Sequence, residues 1–290
     1  MKKPLRKDLE PVAASFIVKE LVEPHFDPNW HFHPHYQLFL VEEGTGTRFI
    51  GDSIQPFGPG DLVFLGPNLP HLWRSDQPYF DRNSGLITKG IVVYFMSDFL
   101  GSEFLNKPEM APLRQLLAYA RQGLEWTGKT RHRAETALQQ LREQPVGFTR
   151  VLHLLALLDE LAHAPDYRFL SSAGYSNSAK PGETDRMQVV HDYVLGHFAD
   201  EISLETVADL AGMTASAFCR YFKSRANKTF SDFVSEVRIG HACKLLMKGD
   251  LSVTQVSYES GFRTLSNFNR QFRHITRQTP SGYRRTYRAM

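Results

Sequence analysis

The stretches LETVADLAGMTASAFCRYFK (Leu204–Lys223) and VTQVSYESGFRTLSNFNRQFR (Val253–Arg273) are two versions of one pattern. Phe218-x-Arg220-x-Phe222-Lys223 returns as Phe268-x-Arg270-x-Phe272-Arg273, and Gly212 returns as Gly261. Each copy reads as a short helix, a turn at glycine and a second helix with a basic outer face. Two such helix-turn-helix units in one small domain predict a chain that sets two helices into neighbouring major-groove segments of DNA.

The local signals agree with that reading. Ser203 and Thr214 are N-cap residues for the two helices of the first unit, and Leu204, Val207, Ala208 and Ala211 share a face. In the second unit Ser252 with Gln255 forms a capping box, and Thr264 caps the following helix. Phe218, Tyr221, Phe222, Phe268, Phe272 and Ile275 fall on inward faces. Ser216, Cys219, Arg220 and Lys223 fall outward in the first unit, and Leu265, Ser266, Asn267 and Arg270 in the second. That outward set suits base edges: Arg pairs bidentately with guanine, Asn with adenine, and Leu meets a thymine methyl. Arg273, Arg277, Arg284 and Arg285 are expected on phosphates, which position a protein without specifying sequence. A helix over about Phe230–Met247 is expected to brace the two units.

Charge is divided unevenly. From Met213 to the end there are fourteen Lys/Arg against four acids, so a chain of net charge +3 leaves about −7 for the remainder. The basic part is therefore the part expected to meet a polyanion. With 290 residues there is room for two domains, and no apolar run reaches bilayer-spanning length. The start, MKKPLRKDLEPVAAS, has no apolar stretch after its basic residues, so no secretory signal is expected. Cys219 and Cys243 are the only cysteines and lack CxxC spacing, which fits a reducing, cytoplasmic setting.

SFIVKEL, YQLFLVE, GTRFIG, DLVFL and GIVVYF, between Ser15 and Phe95, read as short strands separated by Gly/Pro/Asp/Asn clusters, as in a small sandwich or barrel. PLRQLLAYARQGLEW and FTRVLHLLALLDELAHA then read as helices. In the latter, Val151, Leu154, Leu155, Leu158 and Leu161 form a stripe, widened by Leu157, that serves either as core or as a contact between subunits. The expected organisation is 1–105 sheet domain, 106–164 helical region for dimerisation, 165–184 linker and 185–290 helix-turn-helix domain. The fold class is α+β multidomain.

Trp30-His31-Phe32-His33-Pro34-His35-Tyr36-Gln37 is the most unusual local composition. In an extended strand His31, His33 and His35 project from one face, and His71 follows later. Neutral imidazoles that converge are ligands for Zn, Fe, Ni or Mn.

Residues 185–285 resemble the DNA-binding domain of the AraC/XylS family of bacterial transcription regulators. The signature runs from Ala242-x-x-Leu245-Leu246 through Val256-x-x-x-x-Gly261-Phe262 and the Phe268 motif to Thr279-Pro280-x-x-Tyr283-Arg284. The resemblance implies that Ser216, Cys219 and Arg220, then Leu265, Ser266, Asn267 and Arg270, are the base-reading positions. Ser257 and Ser260 stand where alanine is often seen. The N-terminal half looks like a cupin-like β-barrel, the usual sensor of one large branch of that family.

Metal-binding cupins pair an HxH with a later Glu/Gln and a further His, which here places a metal on His31, His33, Gln37 and His71. Gln37 replaces the usual carboxylate, and the usual glycine between Pro67 and His71 is missing. Three readings stay open: an organic effector without metal, a divalent transition metal, and histidines that only pack. The effector set is Trp30, His31, His33, His35, Gln37, His71 and Trp73, with Tyr36 and Phe64 adding aromatic faces. The resemblance further implies double-stranded DNA, RNA polymerase and a small, sugar-like effector as partners, a homodimer, and activation. The basic arm Lys2–Lys7 reads as a latch or as a frayed terminus. The chain carries no GxSxG, Walker loop or HExxH, so no enzyme is expected. Two alternatives are a metal-dependent cupin enzyme fused to a DNA reader, and an effector-independent DNA-binding dimer.

Overall fold

The computed structural model describes residues 15–101, 103–173, 175 and 184–288. The arm Lys2–Lys7 and part of the expected linker lie outside the described residues. Two compact units meet in sequence between Asn177 and Ser178.

The first unit contains β1 (Phe16–Glu23), β2 (Tyr36–Glu43), β3 (Gly46–Ile50), β4 (Ser53–Phe57), β5 (Leu62–Leu65), β6 (His71–Ser75) and β7 (Thr88–Phe95). After these come α1 (Ala111–Tyr119), β8 (Leu124–Trp126), α2 (Gly128–Glu143), α3 (Phe148–His163) and β9 (Tyr167–Phe169). The strands form a six-stranded sheet in the order β1-β7-β2-β5-β8-β9 and a three-stranded sheet in the order β4-β3-β6.

The large sheet is buried on both sides, so its central strands read as continuous apolar runs rather than as alternation. Period two still sorts them. Tyr36, Leu38, Leu40, Leu62, Phe64, Ile91, Val93 and Phe95 face a core shared with the helices. Phe39, Val41, Val63, Leu65 and Val92 face a second core, where they meet Ile50 and Trp73 of the small sheet. Tyr36 and Phe64, expected at the pocket, therefore belong to the helix side, where Tyr36 stacks on Phe64 and Phe95 at ring distances of 5.7 and 5.3 Å.

Two expectations change. The helix over PLRQLLAYARQGLEW stops at Tyr119, because Gly123 takes φ 69° and turns the chain so that Leu124–Trp126 adds to β5. Residues Tyr167–Phe169, inside the stretch read as a linker, pair with β8. Helix α2 lies within the stretch expected to be helical and is its most polar part, with only Thr130, Ala134, Leu138 and Leu141 buried. The α3 stripe is core: Leu154, Leu157, Leu158 and Leu161 are buried, while Phe148 and Leu152 on the outside are 75% and 46% exposed.

A buried ion network crosses from one sheet to the other. Arg48 on β3, 2% exposed, bonds Asp61 ahead of β5 and Glu125 on β8, the latter at 2.8 Å. Arg168 on β9 pairs with Glu125 from the neighbouring strand. Burial pushes the Asp61 carboxyl up to about 6 even though Arg48 pulls it down. Burial also works against the ionised Glu125, but Arg48 and Arg168 together hold its pKa below the ordinary carboxylate range.

The second unit is helical: α4 (Thr184–His197), α5 (Leu204–Leu210), α6 (Ala215–Ala226), α7 (Phe230–Lys248), α8 (Val253–Glu259), α9 (Leu265–Thr276) and α10 (Pro280–Arg288). The repeat extends past the two motifs. Asn227 and Arg277, fifty residues apart, end α6 and α9 in the left-handed conformation. Thr229 and Thr279 then accept from the N–H three residues on, at 3.2 and 3.1 Å. Phe222 meets Phe233 at 5.1 Å, as Phe272 meets Tyr283 at 5.6 Å. The repeating unit is thus three helices, and α7 serves as the third helix of the first copy and the brace of the second.

Removing the Arg48 guanidinium takes away the ion-pair partner of buried Asp61 and leaves Glu125 to Arg168 alone. Arg48→Met is expected to cost about 3–5 kcal/mol in chemical denaturation of the full chain; a loss under about 1 kcal/mol would mean that the carboxylates find other partners. A second expectation concerns His191 of α4, which is buried, stacks on Phe233 at 5.0 Å, and is pushed by burial down to about 3. Its unfolded pKa is about 6.5, so its contribution is complete above that pH and is lost as pH falls toward 3. At pH 5 the loss is about 2 kcal/mol. His191→Leu is expected to shrink the stability difference between pH 7 and pH 5; an unchanged difference would remove His191 as its source.

Candidate functional site

Two sites were expected, one in each unit. In the first unit, His31 bridges His71 of β6 through reciprocal backbone hydrogen bonds of 3.2 and 2.9 Å. The chain does not run on as a strand: it bends at Pro34-His35, and β2 begins only at Tyr36. His35 is not among the converging donors, although its ring lies 5.8 Å from that of His33 and 6.4 Å from that of Tyr94. The proline has no N–H to extend a ladder, and it interrupts the pairing there.

His31, His33 and His71 do converge. They are 6%, 2% and 1% exposed, and one ring nitrogen of each lies within 4.8 Å of the others. Each Nδ1 faces a backbone carbonyl: His31 that of Asn29 at 2.7 Å, His33 that of His35 at 3.1 Å, His71 that of Leu69 at 2.7 Å. A carbonyl only accepts, so each Nδ1 carries the proton and each neutral ring has its lone pair on Nε2. Burial lowers the His33 pKa to about 4, which keeps that ring neutral at pH 7.

Gln37 Oε1 lies 2.9 Å from His33 Nε2. Two acceptors facing each other are reconciled if the amide turns its N–H inward, or if both atoms share a cation. Imidazoles fixed through a carbonyl on the far nitrogen are the usual arrangement at a metal. The donor set fits a divalent transition ion on His31, His33 and His71, with Gln37 beside them.

Trp73 is buried, edge-on to Phe39 at 4.8 Å and 5.7 Å from His71, and Trp30 is also buried. Sequence reasoning missed Tyr94, whose ring lies 5.3 Å from His33 and whose pKa is raised by burial and by the nearby charge of Asp27. Its place was legible in the alternation of β7, where Tyr94 follows Val92 on the inner face.

In the second unit the N-caps form as expected. Ser203 accepts from Thr206, Thr214 from Ala217 and Thr264 from Asn267, and Ser252 with Gln255 makes a full capping box. Ser216, Cys219, Arg220 and Lys223 are exposed on α6, and Ser266, Asn267, Arg270 and Arg273 on α9. Arg270 donates to Asn267 Oδ1 at 2.9 Å, so the Asn and Arg present one linked polar surface.

Leu265 and Arg284 are less exposed than their expected DNA contacts imply. Leu265 is half-buried against the core of the second motif, because it follows directly on the cap at Thr264. Arg284 points inward and donates to the Leu251 carbonyl at 2.6 Å, which ties α10 to the loop after α7 and removes it from the exposed basic face.

The motifs differ in one respect that matters for packing. Ala211-Gly212-Met213-Thr214 becomes Ser260-Gly261-Phe262-Arg263-Thr264, one residue longer. The added Arg263 pairs with Glu201. Gly212 has open space where a Cβ would stand, whereas a Cβ on Gly261 would lie 2.5 Å from the Phe198 carbonyl oxygen.

Residues 20–173 match the AraC-like ligand binding domain, and residues 207–286 match a helix-turn-helix domain. The chain belongs to the AraC family. Within it, the chain is 33% identical over 103 residues to the HTH-type transcriptional regulator YdeC of Bacillus subtilis, 36% of this chain and 35% of that one. An HTH-type regulator of Staphylococcus aureus is 28% identical over 153 residues, which cover 53% of this chain and 19% of that one. The chain thus spans about a fifth to a third of the length of these curated relatives. Among solved structures, the DNA-binding domain of AdpA in complex with a target DNA is 31% identical over 34% of this chain and 90% of that one, with a TM-score of 0.33. ToxT from Vibrio cholerae with a bound unsaturated fatty acid is 14% identical over 93% of this chain and 94% of that one, with a TM-score of 0.36. As an AraC-family member the chain combines a ligand-binding domain with a helix-turn-helix domain.

The second motif carries two stability tests. The Ser257 and Ser260 hydroxyls are buried with no hydrogen-bond partner among the described residues. Ser260→Ala is expected to stabilise by about 1 kcal/mol, and a loss on thermal melting would reveal a partner for the hydroxyl. Gly261 and Gly212 both have positive φ, 81° and 67°. Gly212→Ala is expected to cost about 1 kcal/mol for the backbone alone, and Gly261→Ala at least about 2 kcal/mol more for the clash. Equal losses would show that the Phe198 carbonyl moves aside freely.

Proposed function

We propose that the protein reads double-stranded DNA with α6 and α9 together, under the control of a small effector bound at His31, His33, Gln37 and His71. The observation that carries the DNA half is the pair of exposed faces, Ser216, Cys219, Arg220 and Lys223 on α6 and Ser266, Asn267, Arg270 and Arg273 on α9, on two helices braced by α7. That brace has 19 residues and so is about 28 Å long, of the order of the 34–36 Å between successive major grooves. Arg270, steadied by Asn267, is the guanine reader of the second unit, and Arg220 holds the corresponding place in the first. Arg273, Arg277 and Arg285 lie on the exposed basic side and meet phosphates.

The effector half rests on a ligand-binding domain that gathers His31, His33, Gln37 and His71 beside Trp73 and Tyr94. Differential affinity for two states of the domain is what such control requires. Val146, Phe148 and Leu152, exposed at the start of α3, support a homodimer through that face. Activation through RNA polymerase and a cytoplasmic location complete the reading. No helix among the described residues is long and apolar enough to cross a membrane.

Operator selection from random duplexes, followed by footprinting with the full chain, tests the DNA half. Two protected major-groove segments about one helical turn apart are expected; protection of a single segment would mean that only one unit reads DNA. On the selected operator, Arg270→Ala is expected to cost about 1–3 kcal/mol and to relax one base position. An equal loss on all sequences would make Arg270 a phosphate contact.

A further inference from the structure

Every donor that converges at His31, His33 and His71 is neutral. Three imidazoles supply nitrogen, the Gln37 amide supplies oxygen, and no Asp or Glu belongs to the converging group among the described residues. The carboxylates deeper in the same domain are committed elsewhere: Asp61 to Arg48, and Glu125 to Arg48 and Arg168. A divalent ion held by this set keeps its double positive charge in a buried setting. Uncompensated charge there is costly; Asp27, the acid whose charge reaches Tyr94, accepts from the Asn29 N–H and amide at 3.0 and 2.6 Å and is not among the converging donors, so the counter-charge falls to an incoming ligand. Three imidazoles fill three positions of a four-coordinate ion, and an incoming anion takes the fourth in place of the weaker neutral Gln37 oxygen.

The surroundings argue against a neutral ring stacked on an aromatic face. Trp73 is 4% exposed and its ring is occupied by Phe39 and His71 on its edges; Trp30 is 8% exposed. Tyr94, next to His33, instead places a phenol in the chamber wall.

We propose that His31, His33 and His71 hold a late first-row divalent ion, and that the effector is an anionic oxygen donor, of carboxylate class, that binds as the ion's next ligand. The inference rests on the effector reading of this site given above, and it replaces the expectation of a sugar. Imidazole nitrogen favours zinc, nickel, cobalt and copper over magnesium or calcium, so selectivity for those ions follows.

Co2+ is the probe, because its visible absorption reports coordination directly. Full-length protein is expected to bind one Co2+ per chain, displaceable by Zn2+, with micromolar affinity or better. Acetate or azide is expected to shift the Co2+ spectrum and raise the melting temperature, and glucose to do neither. His71→Ala is expected to weaken Co2+ binding at least about 100-fold.

Gln37→Glu is the discriminating variant, because it supplies the missing charge from within. It is expected to bind Co2+ at least about tenfold tighter and to lose the response to acetate. Absence of a Co2+ spectrum in the wild-type protein overturns the metal. A Co2+ spectrum that ignores acetate and azide, or a Gln37→Glu response equal to wild type, overturns the anionic effector. Footprinting of the same preparation separates the two readings: intact DNA protection without Co2+ binding rejects this inference alone, and Co2+ binding without DNA protection rejects the DNA reading alone.

Discussion

The ligand-binding unit depends on one guanidinium. Arg48 leaves the small sheet and grips Asp61 and Glu125 on the large one, so the sheets are joined by charge as well as by apolar contact. Its position follows from register: Arg48 stands opposite Trp73, and Ile50 opposite His71, so the ion network and the histidine site share one face of the small sheet. Whatever fixes Arg48 also fixes the wall that carries His71. Apolar contact alone is non-directional and sets the spacing of two sheets better than their registration; two charged bonds from one planar group set both.

The second unit relies on repetition. Two copies of a three-helix motif share α7, whose Phe233, Val237, Ile239, Ala242 and Leu246 are all buried, so the brace faces core on most of its circumference. A helix surrounded in this way cannot shift toward one recognition helix without losing contact with the other. The exposed polar sets on α6 and α9 are therefore presented on a fixed frame, and the spacing between them is a property of the fold and not of the DNA.

Much of this was legible in the sequence. The repeat, both glycine turns, four N-caps and the inward phenylalanines follow from spacing and residue chemistry, because short helices with strong caps are decided locally. The histidine pair His31 and His33 with His71 was visible as unusual composition. What was hidden depends on tertiary context. Leu124–Trp126 carries no strand signal of its own and becomes β8 because Gly123 turns it against β5. Tyr167–Phe169 reads as loop until β8 offers it an edge. Tyr36 and Phe64 look like pocket residues because strands buried on both faces do not announce which face is which. Arg284 looks like a phosphate ligand because a basic side chain near a basic surface gives no hint that a carbonyl behind it, that of Leu251, lies nearer.

The single added residue in the second motif sets the two halves of the DNA-binding unit apart mechanically. The Gly261 turn is clamped: the end of α4 presses on it, Arg238 bonds the Phe198 and Asp200 carbonyls behind it at 2.7 and 2.8 Å, and Arg263 reaches Glu201. At Gly212 nothing lies within 4 Å of where a Cβ would stand. Local opening is therefore expected to cost less around α5 and α6 than around α8 and α9, with faster amide exchange there. The result is a stiff reader and a compliant one on a common frame. A pair that reads DNA as proposed would set its register with the stiff half and tolerate variation in the neighbouring groove with the compliant one.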